Sequence, residues 1–436
     1  MRVVIIGGGI SGLSAAYYLK KAGVPSTIVE TRPYLGGVIR TEQVEGCLIE
    51  TGPDSYLSVK PWATDLIRDL GLDGELIGSN DHLRKTFIRK SGRMIPLPDG
   101  LQMMVPTRIA PMVTTGLLSW GTKLRMGLEW FRRPPSAPLA DRSVADFVRD
   151  HYGQEAVDYL AEPLLAGVYG GDPEKLSVSS VLTRFAQLEA EHGSLTRGVV
   201  KERGKGSGLP LFRTLKGGLS QLTEALARGV AVARGEAETL DKGWRVRVSG
   251  RWLEADEVVL ACEAHRAASL LAPLDGRLAE LLGTVGYSSS TVVALGFDRR
   301  AVTQKLEGFG FLVPKRERRN VVACTYVGTK FAHRTPDDTL LLRCFLGGAD
   351  EVRIETVIEE LRDLAGITAA PRFSRVYRWP RSMAQYPVGH QARMAEVETR
   401  LKALPGLHLA GNGYYGIGIP DCVRMGKQAA ERIRAG

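Results

Sequence analysis

The chain has 436 residues, 44% apolar and 24% charged, with a formal net charge of +10, the proportions of an ordinary globular protein with room for two or three structural units. Five scattered cysteines, Cys47, Cys262, Cys324, Cys344 and Cys422, show neither CxxC nor Cys/His ligand spacing. They argue against a disulfide framework and a structural metal, and for a reducing, cytoplasmic compartment. The basic excess is compatible with an anionic ligand, an acidic membrane surface, nucleic acid or plain solubility, and nothing else in the sequence favours nucleic acid.

In chain order, Val3 to Ile6 reads as a buried strand, GGGISG comes next, and LSAAYYLKKAG continues as a helix that Gly23 ends. Ser26 to Glu30 is the next strand, which makes a βαβ opening rather than a signal peptide. A helix is expected at Trp62 to Leu70, and Pro96 to Leu195 is mainly helical in character. Within it, Leu101 to Trp120 is the nearest approach to a spanning segment, but Pro106, Arg108 and Pro111 interrupt it. It suits a greasy cleft or peripheral membrane contact and not a crossing. Lys201 to Pro210 reads as an exposed connector. Strands are expected at Trp244 to Val248, Glu257 to Cys262, Thr291 to Phe297, Val321 to Val327 and Thr339 to Gly347. The chain closes on a strand at Leu407 to Ala410, a glycine loop, and a helix from about Pro420 to Arg434.

Gly7, Gly9 and Gly12 have GxGxxG spacing with a strand before, a helix after, and the acid Glu30 ending the second strand. The first glycine allows the tight turn, the second lets backbone approach a pyrophosphate, and the third lets helix pack on strand. Gly8, Ile10 and Ser11 complete the loop, whose helix end attracts phosphate. Glu30, with Thr31 beside it, is placed to accept from a ribose hydroxyl, which favours FAD or NAD over NADP. The closing run GNGYYG, Gly411 to Gly416, imitates the same spacing. The stretch after Gly416 has room for one helix and none for the second strand of a βαβ unit, so this is not a second dinucleotide site.

The segment LGGVIRTEQVEGCLIETGPDSYLS, from Leu35, has a paired glycine after the ribose-binding strand and a hairpin ending in GPDS. It resembles the flavin-containing amine oxidase superfamily, which implies FAD and adds Gly36, Gly37, Val38, Gly52, Pro53, Asp54 and Ser55 to its contacts. Further segments, EPLLAGVYGGDPEKLSV from Glu162, GFGFLVP from Gly308, RWPRSMAQYPVGH from Arg378 and GIGIPDCVRMGKQA from Gly416, are similar to the oxygen-dependent porphyrinogen oxidases of heme biosynthesis. VPTRIAPMVTTGLLSWGTKLR and ACTYVGTKFAHRTPDDTLLLR look more like the Gram-positive type, which oxidises coproporphyrinogen III.

The resemblance implies an α/β protein, α+β overall, in three parts. They are a Rossmann-like FAD-binding domain over 1–75, 208–265 and 400–436, a β-rich substrate domain over 76–100 and 266–399, and a helical insertion over 101–207. It implies six-electron oxidation of a porphyrinogen by O2 with release of hydrogen peroxide, the flavin carrying the chemistry and the protein positioning. No acid/base grouping stands out, and the histidines His192, His265, His333, His390 and His408 read as structural or surface residues. By the same resemblance Gly167 faces the macrocycle, Phe309, Leu312 and Phe345 form apolar walls, Trp379, Gly418 and Ile419 lie near the flavin ring, and Ala237 meets the adenine. Arg84, Lys85, Arg89, Lys90 and Arg93 form a cationic cluster for substrate propionates, a surface role being equally open. Departures from the family pattern fall at Thr86, Gly193 and Tyr34. Protoporphyrinogen IX as substrate, a flavin amine oxidase, a carotenoid desaturase and a non-catalytic flavin scaffold stay open as alternatives, as does hand-over of product to a ferrochelatase.

Overall fold

The computed structural model describes residues 1–202, 208–348 and 353–435; the core of the expected connector, 203–207, lies outside them. It is a mixed α/β fold with one parallel and one mixed sheet, and it divides into two compact units. The first comprises Met1–Ser79, Pro210–Tyr287 and Gln391–Gly436, the second Asn80–Leu209 and Ser288–His390.

The first unit is built on five strands in the order Ala231–Arg234, Ser26–Glu30, Val3–Ile6, Glu257–Leu260, Leu407–Leu409, every neighbouring pair parallel. Val3–Ile6 is VVII and wholly buried, the unbroken apolar run of a strand covered on both faces. The covering helices include the first, Ile10–Lys21, and the last, Ile419–Ala435. These two meet at Gly426, where a Cβ would lie 2.3 Å from Ser11 O and 2.9 Å from Ser14 Cβ. Only a glycine lets the two backbones approach so closely. The hairpin Thr41–Val44 and Cys47–Glu50 is tied back by buried Glu50, which accepts from Leu219 N at 2.8 Å and from Thr41 Oγ1 at 2.9 Å.

The second unit holds a seven-stranded sheet in the order Phe373–Gln385, Gly286–Asp298, Thr339–Gly347, Val321–Tyr326, Gly310–Leu312, Thr86–Lys90, Arg93–Pro96. One face of this sheet buries Val293, Phe311 and Cys344 with Val357 and Leu361 of the helix Ile354–Ala365. A separate core gathers the short helices between Ile109 and Lys201 around Phe147, Tyr152, Leu160 and Leu188. Four of these helices start on serine: the Oγ of Ser119, Ser143, Ser177 and Ser194 each accepts from the backbone N three residues on. Such a cap satisfies an orphan donor and is worth about 1 kcal/mol.

A buried polar hub holds the helices in register. His151, fully enclosed, places Nδ1 3.0 Å from Glu129 Oε1 and Nε2 3.0 Å from Glu189 Oε1. Glu129 also accepts from Ser194 Oγ, Leu195 N and Thr196 N, and Arg142 pairs with both Glu189 and Asp150. Asp150, His151 and Glu189 bring ligand atoms within 4.8 Å of one another. The guanidinium of Arg142 sits on both of those carboxylates, so a cation is already supplied by the chain.

Candidate active site

In the first unit the nucleotide loop is the turn between Val3–Ile6 and the first helix. Gly7 has φ +111° and passes beneath Ala261, whose O would lie 2.6 Å from a Cβ. At Gly12 a Cβ would be 2.0 Å from Gly7 O, and at Gly8 it would be 2.5 Å from Leu35 Cδ2. Gly9 differs: a Cβ there would meet nothing within 4 Å, at an extended φ of −73° that any residue adopts. The loop is therefore packed on the protein side and open at one point, the point where the helix N-terminus begins at Ile10. Glu30 is buried, accepting from Gly8 N at 2.8 Å through Oε2, and from Arg32 N at 2.8 Å and Thr31 Oγ1 at 3.2 Å through Oε1. Its carboxylate is fixed and still has lone pairs to offer.

The paired glycine docks directly on this loop. Gly36 N donates to Gly8 O at 2.8 Å, Gly36 has φ +108°, and a Cβ on Gly37 would lie 3.2 Å from Gly9 Cα. Val38 O would be 2.2 Å from a Cβ at Gly52, which leads into Pro53, Asp54 and Ser55, half-buried coil with Ser55 Oγ donating to Asp54 Oδ1 at 2.6 Å. Ala237 starts a strand three residues beyond Arg234, the residue paired with Glu30. These predicted residues converge on one end of the parallel sheet.

The closing glycine loop belongs to the same unit. Ile419 begins the last helix, and Gly418 O accepts from Cys422 N at 3.0 Å. Asp421 turns back under the loop: its Cγ would lie 2.5 Å from a Cβ on Gly416, and its Oδ2 accepts from Lys60 Nζ at 2.6 Å. Burial pushes the Cys422 thiol up to about 12 against the lowering effect of a hydrogen bond with Ser11, so this cysteine is an inert joint between the first and last helices.

In the second unit, Leu312 pairs with Ala323, Ala323 with Phe345, and Phe345 with Val292. Directly paired residues share a face, so Leu312 and Phe345 stand on one side of the sheet, opposite the Phe311 and Cys344 core. Small Ala323 lies between them. Gly167, exposed near the end of the helix Glu162–Tyr169, reaches this face: a Cβ there would be 3.3 Å from Leu312 Cδ2. Buried Phe309 donates from its N to Lys85 O at 2.8 Å. Trp379 is half-buried on the edge strand Phe373–Gln385.

A flavin family model, flavin-containing amine oxidoreductase, matches residues 10–434. This chain belongs to the flavin-containing amine oxidoreductase family. The coproporphyrinogen III oxidase of Bacillus subtilis (strain 168) is 36% identical to this flavoprotein family member, over 98% of this chain and 96% of its own. The enzyme of the same name from Staphylococcus aureus (strain NCTC 8325 / PS 47) is 31% identical over 99% of each. Among solved structures, a protein from Exiguobacterium sp. 255-15 assigned as a protoporphyrinogen oxidase superposes with a TM-score of 0.88 at 32% identity, covering 100% of this chain and 98% of that one.

The residues present fit the FAD that this family binds. The open point at Gly9, the two crowded glycines either side of it and the held carboxylate of Glu30 are what a pyrophosphate and a ribose require. The flavoprotein's cationic cluster, by contrast, is partly spoken for. Lys90 Nζ is committed to Glu155 at 2.8 Å and Leu117 O at 2.6 Å and lies over the Tyr159 ring. Burial pushes the Glu155 carboxyl up, but bonds from Lys90, Ser119 and Thr122 hold it down at about 2. Lys85 is exposed and pairs with Glu307 at 3.4 Å. Sequence reasoning missed Arg343, a buried guanidinium two residues before Phe345 on the same strand face and 5.1 Å over its ring. A single arginine inside an apolar strand run was the available signal.

Proposed function

We propose that this protein oxidises coproporphyrinogen III to coproporphyrin III, using FAD and O2 and releasing hydrogen peroxide. The observation that carries this is full-length similarity to two enzymes of that name, with both chains covered almost end to end. In this reading Gly7 to Gly12 hold the pyrophosphate, Glu30 the ribose, Ala237 the adenine, and Gly36 to Val38 with Gly52 to Ser55 extend the grip. Gly418 and Ile419 border the ring. Bound there, the flavin supplies two-electron oxidation of substrate and return of those electrons to O2. Gly167, Leu312, Phe345 and Phe309 serve as apolar walls for a flat ligand, and Lys85 remains the best placed of the cluster to meet a propionate.

Wild-type protein is expected to be yellow and to convert non-fluorescent coproporphyrinogen III into a fluorescent porphyrin in air. Assaying protoporphyrinogen IX beside it tests the second reading, which the Exiguobacterium structure favours; a larger kcat/KM for protoporphyrinogen IX would reverse the assignment. A yellow protein active on neither would leave a flavin scaffold.

For localisation we propose a cytoplasmic protein that rests on a membrane surface, in a position to pass product to a ferrochelatase. No described helix is long and apolar enough to cross a membrane. Trp120, Leu124, Leu128 and Phe131 form an outward stripe at helical spacing, all exposed, and Ile109 and Val113 are exposed on the preceding helix. From Gly100 to Ala140 the only acid is buried Glu129, against Arg108, Lys123, Arg125, Arg132 and Arg133. An apolar stripe with basic flanks suits an anionic interface. The protein should co-sediment with phosphatidylglycerol vesicles, less with phosphatidylcholine, and Leu124→Glu with Phe131→Glu should abolish this while sparing turnover. Equal sedimentation of the double variant would remove the stripe from the proposal.

A further inference from the structure

The face carrying Gly167 and Leu312 is held by an ion-pair staple that lies outside it. The helix Glu162–Tyr169 is preceded by a π-helical turn, Val157–Ala161, a widened turn that offsets the register of everything after it. Glu162 opens the helix: its Oε2 accepts from Lys315 N at 2.9 Å and its Oε1 from Arg318 Nη2 at 2.7 Å. Arg318 donates in turn to Val313 O, from Nε at 3.0 Å and Nη2 at 2.8 Å. Val313 adjoins Leu312, and Leu312 Cδ2 is the atom a Cβ on Gly167 would touch at 3.3 Å. Five helical residues, about 7.5 Å of rise, return from Gly167 to Glu162. Helix, carboxylate, guanidinium, carbonyl and strand thus form a closed ring of contacts.

Two further pairs run alongside, Arg316 with Asp158 at 2.9 Å and Lys315 with Asp172 at 3.3 Å. Their cations are 59% and 70% exposed, and pairs that open to water contribute little. Glu162 and Arg318 are 9% and 18% exposed. Removing one partner of so enclosed a pair strands the other, and the fork of Arg318 cannot be reproduced by a lysine.

We propose that Glu162 and Arg318 are positioning residues: they set the gap between Gly167 and Leu312, and through it the fit of a flat tetrapyrrole on this face. The proposal rests on the porphyrinogen reading of the site. The purified holoenzymes of Glu162→Gln, Arg318→Met and Arg318→Lys are compared with wild type for kcat and KM on coproporphyrinogen III, for Kd of coproporphyrin III by fluorescence, and for flavin content. Glu162→Gln and Arg318→Met should raise KM and the porphyrin Kd about tenfold with kcat within twofold and flavin content unchanged. Arg318→Lys should recover only part of the loss, while Lys315→Ala and Arg316→Ala should leave both constants alone. Unchanged KM and Kd in Glu162→Gln and Arg318→Met overturn the proposal. So does a parallel fall in kcat, flavin content and affinity, the mark of a merely structural pair. Wild-type holoenzyme that turns over neither porphyrinogen overturns the substrate reading, and the staple's role with it.

Discussion

Valine at position 12 is expected to yield a colourless protein, and alanine at position 9 a folded protein that binds flavin weakly. The two glycines are three residues apart but meet opposite surroundings. A Cβ at position 12 would lie 2.0 Å from Gly7 O and 3.2 Å from Ile5 Cγ2. The first of these is backbone and cannot rotate away, so the helix must retreat from the loop and the turn at Gly7, already at φ +111°, must reform. Position 9 has no such neighbour within 4 Å and an ordinary φ. Alanine there costs the apo-protein nothing by packing and reduces backbone freedom in the unfolded chain. Its methyl projects into the open space where the proposed function places the pyrophosphate. The check is flavin absorbance per protein, with thermal unfolding of the deflavinated forms alongside. Gly9→Ala should lower affinity for FAD at least tenfold, about 1.4 kcal/mol, without lowering apo-protein Tm. A Gly9→Ala protein that retains full flavin through dialysis against KBr would remove Gly9 from the phosphate cradle.

His151→Leu is expected to be the most destabilising single change in the second unit. It removes a ring that joins Glu129 and Glu189 and leaves two enclosed carboxylates facing an aliphatic group. Breaking one buried pair costs about 3–5 kcal/mol, which for a unit of this size lowers Tm by roughly 10 °C. The same hub makes stability depend on pH, with a definite sign. Burial pushes Glu129 and Glu189 up, but bonds from His151, joined by Ser194 and Thr196 for the one and Arg142 for the other, hold both below the ordinary glutamate value. A carboxyl depressed in the folded state stabilises above its unfolded pKa of about 4.3 and loses that contribution as pH falls through the folded value. Urea unfolding from pH 7 downward should therefore hold steady to about pH 4.5 and then decline. Glu129→Gln should flatten the decline and lower stability at pH 7; an unaltered pH profile would exclude the hub as its source.

Much of the first unit was legible because backbone needs dictate its residues. A loop that passes under Ala261 and against its own helix demands glycine at fixed spacing, and a strand covered on both faces demands the run VVII. The apolar strand Thr339–Gly347 was equally readable. Three features were not. The strand Phe373–Gln385 contains Pro380 and reads FSRVYRWPRSMAQ, which denies a central strand; it is an edge strand, where a missing N–H costs nothing. His151 sits among helical residues with no local sign that Glu129 and Glu189 lie on either side, since contacts 22 and 38 residues apart leave no periodicity. The pairing of Glu162 with Arg318 spans 156 residues and is invisible for the same reason. Of the cationic cluster, composition showed the charges and only the fold showed that Lys90 was already engaged.

The close crossing at Gly426 joins two helices that are far apart in the order of synthesis. The helix Ile10–Lys21, proposed to offer its N-terminus to phosphate, is buttressed by one made roughly four hundred residues later, and the sheet beneath it awaits Glu257–Leu260 and Leu407–Leu409. Contacts of such sequence separation form slowly. The nascent chain can pair Val3–Ile6 with Ser26–Glu30 early, but its other edge stays open until Glu257–Leu260 has been made. Flavin loading is therefore expected only once Ile419–Ala435 has been made and packed on Ile10–Lys21, and FAD supplied during refolding should raise the yield of yellow protein.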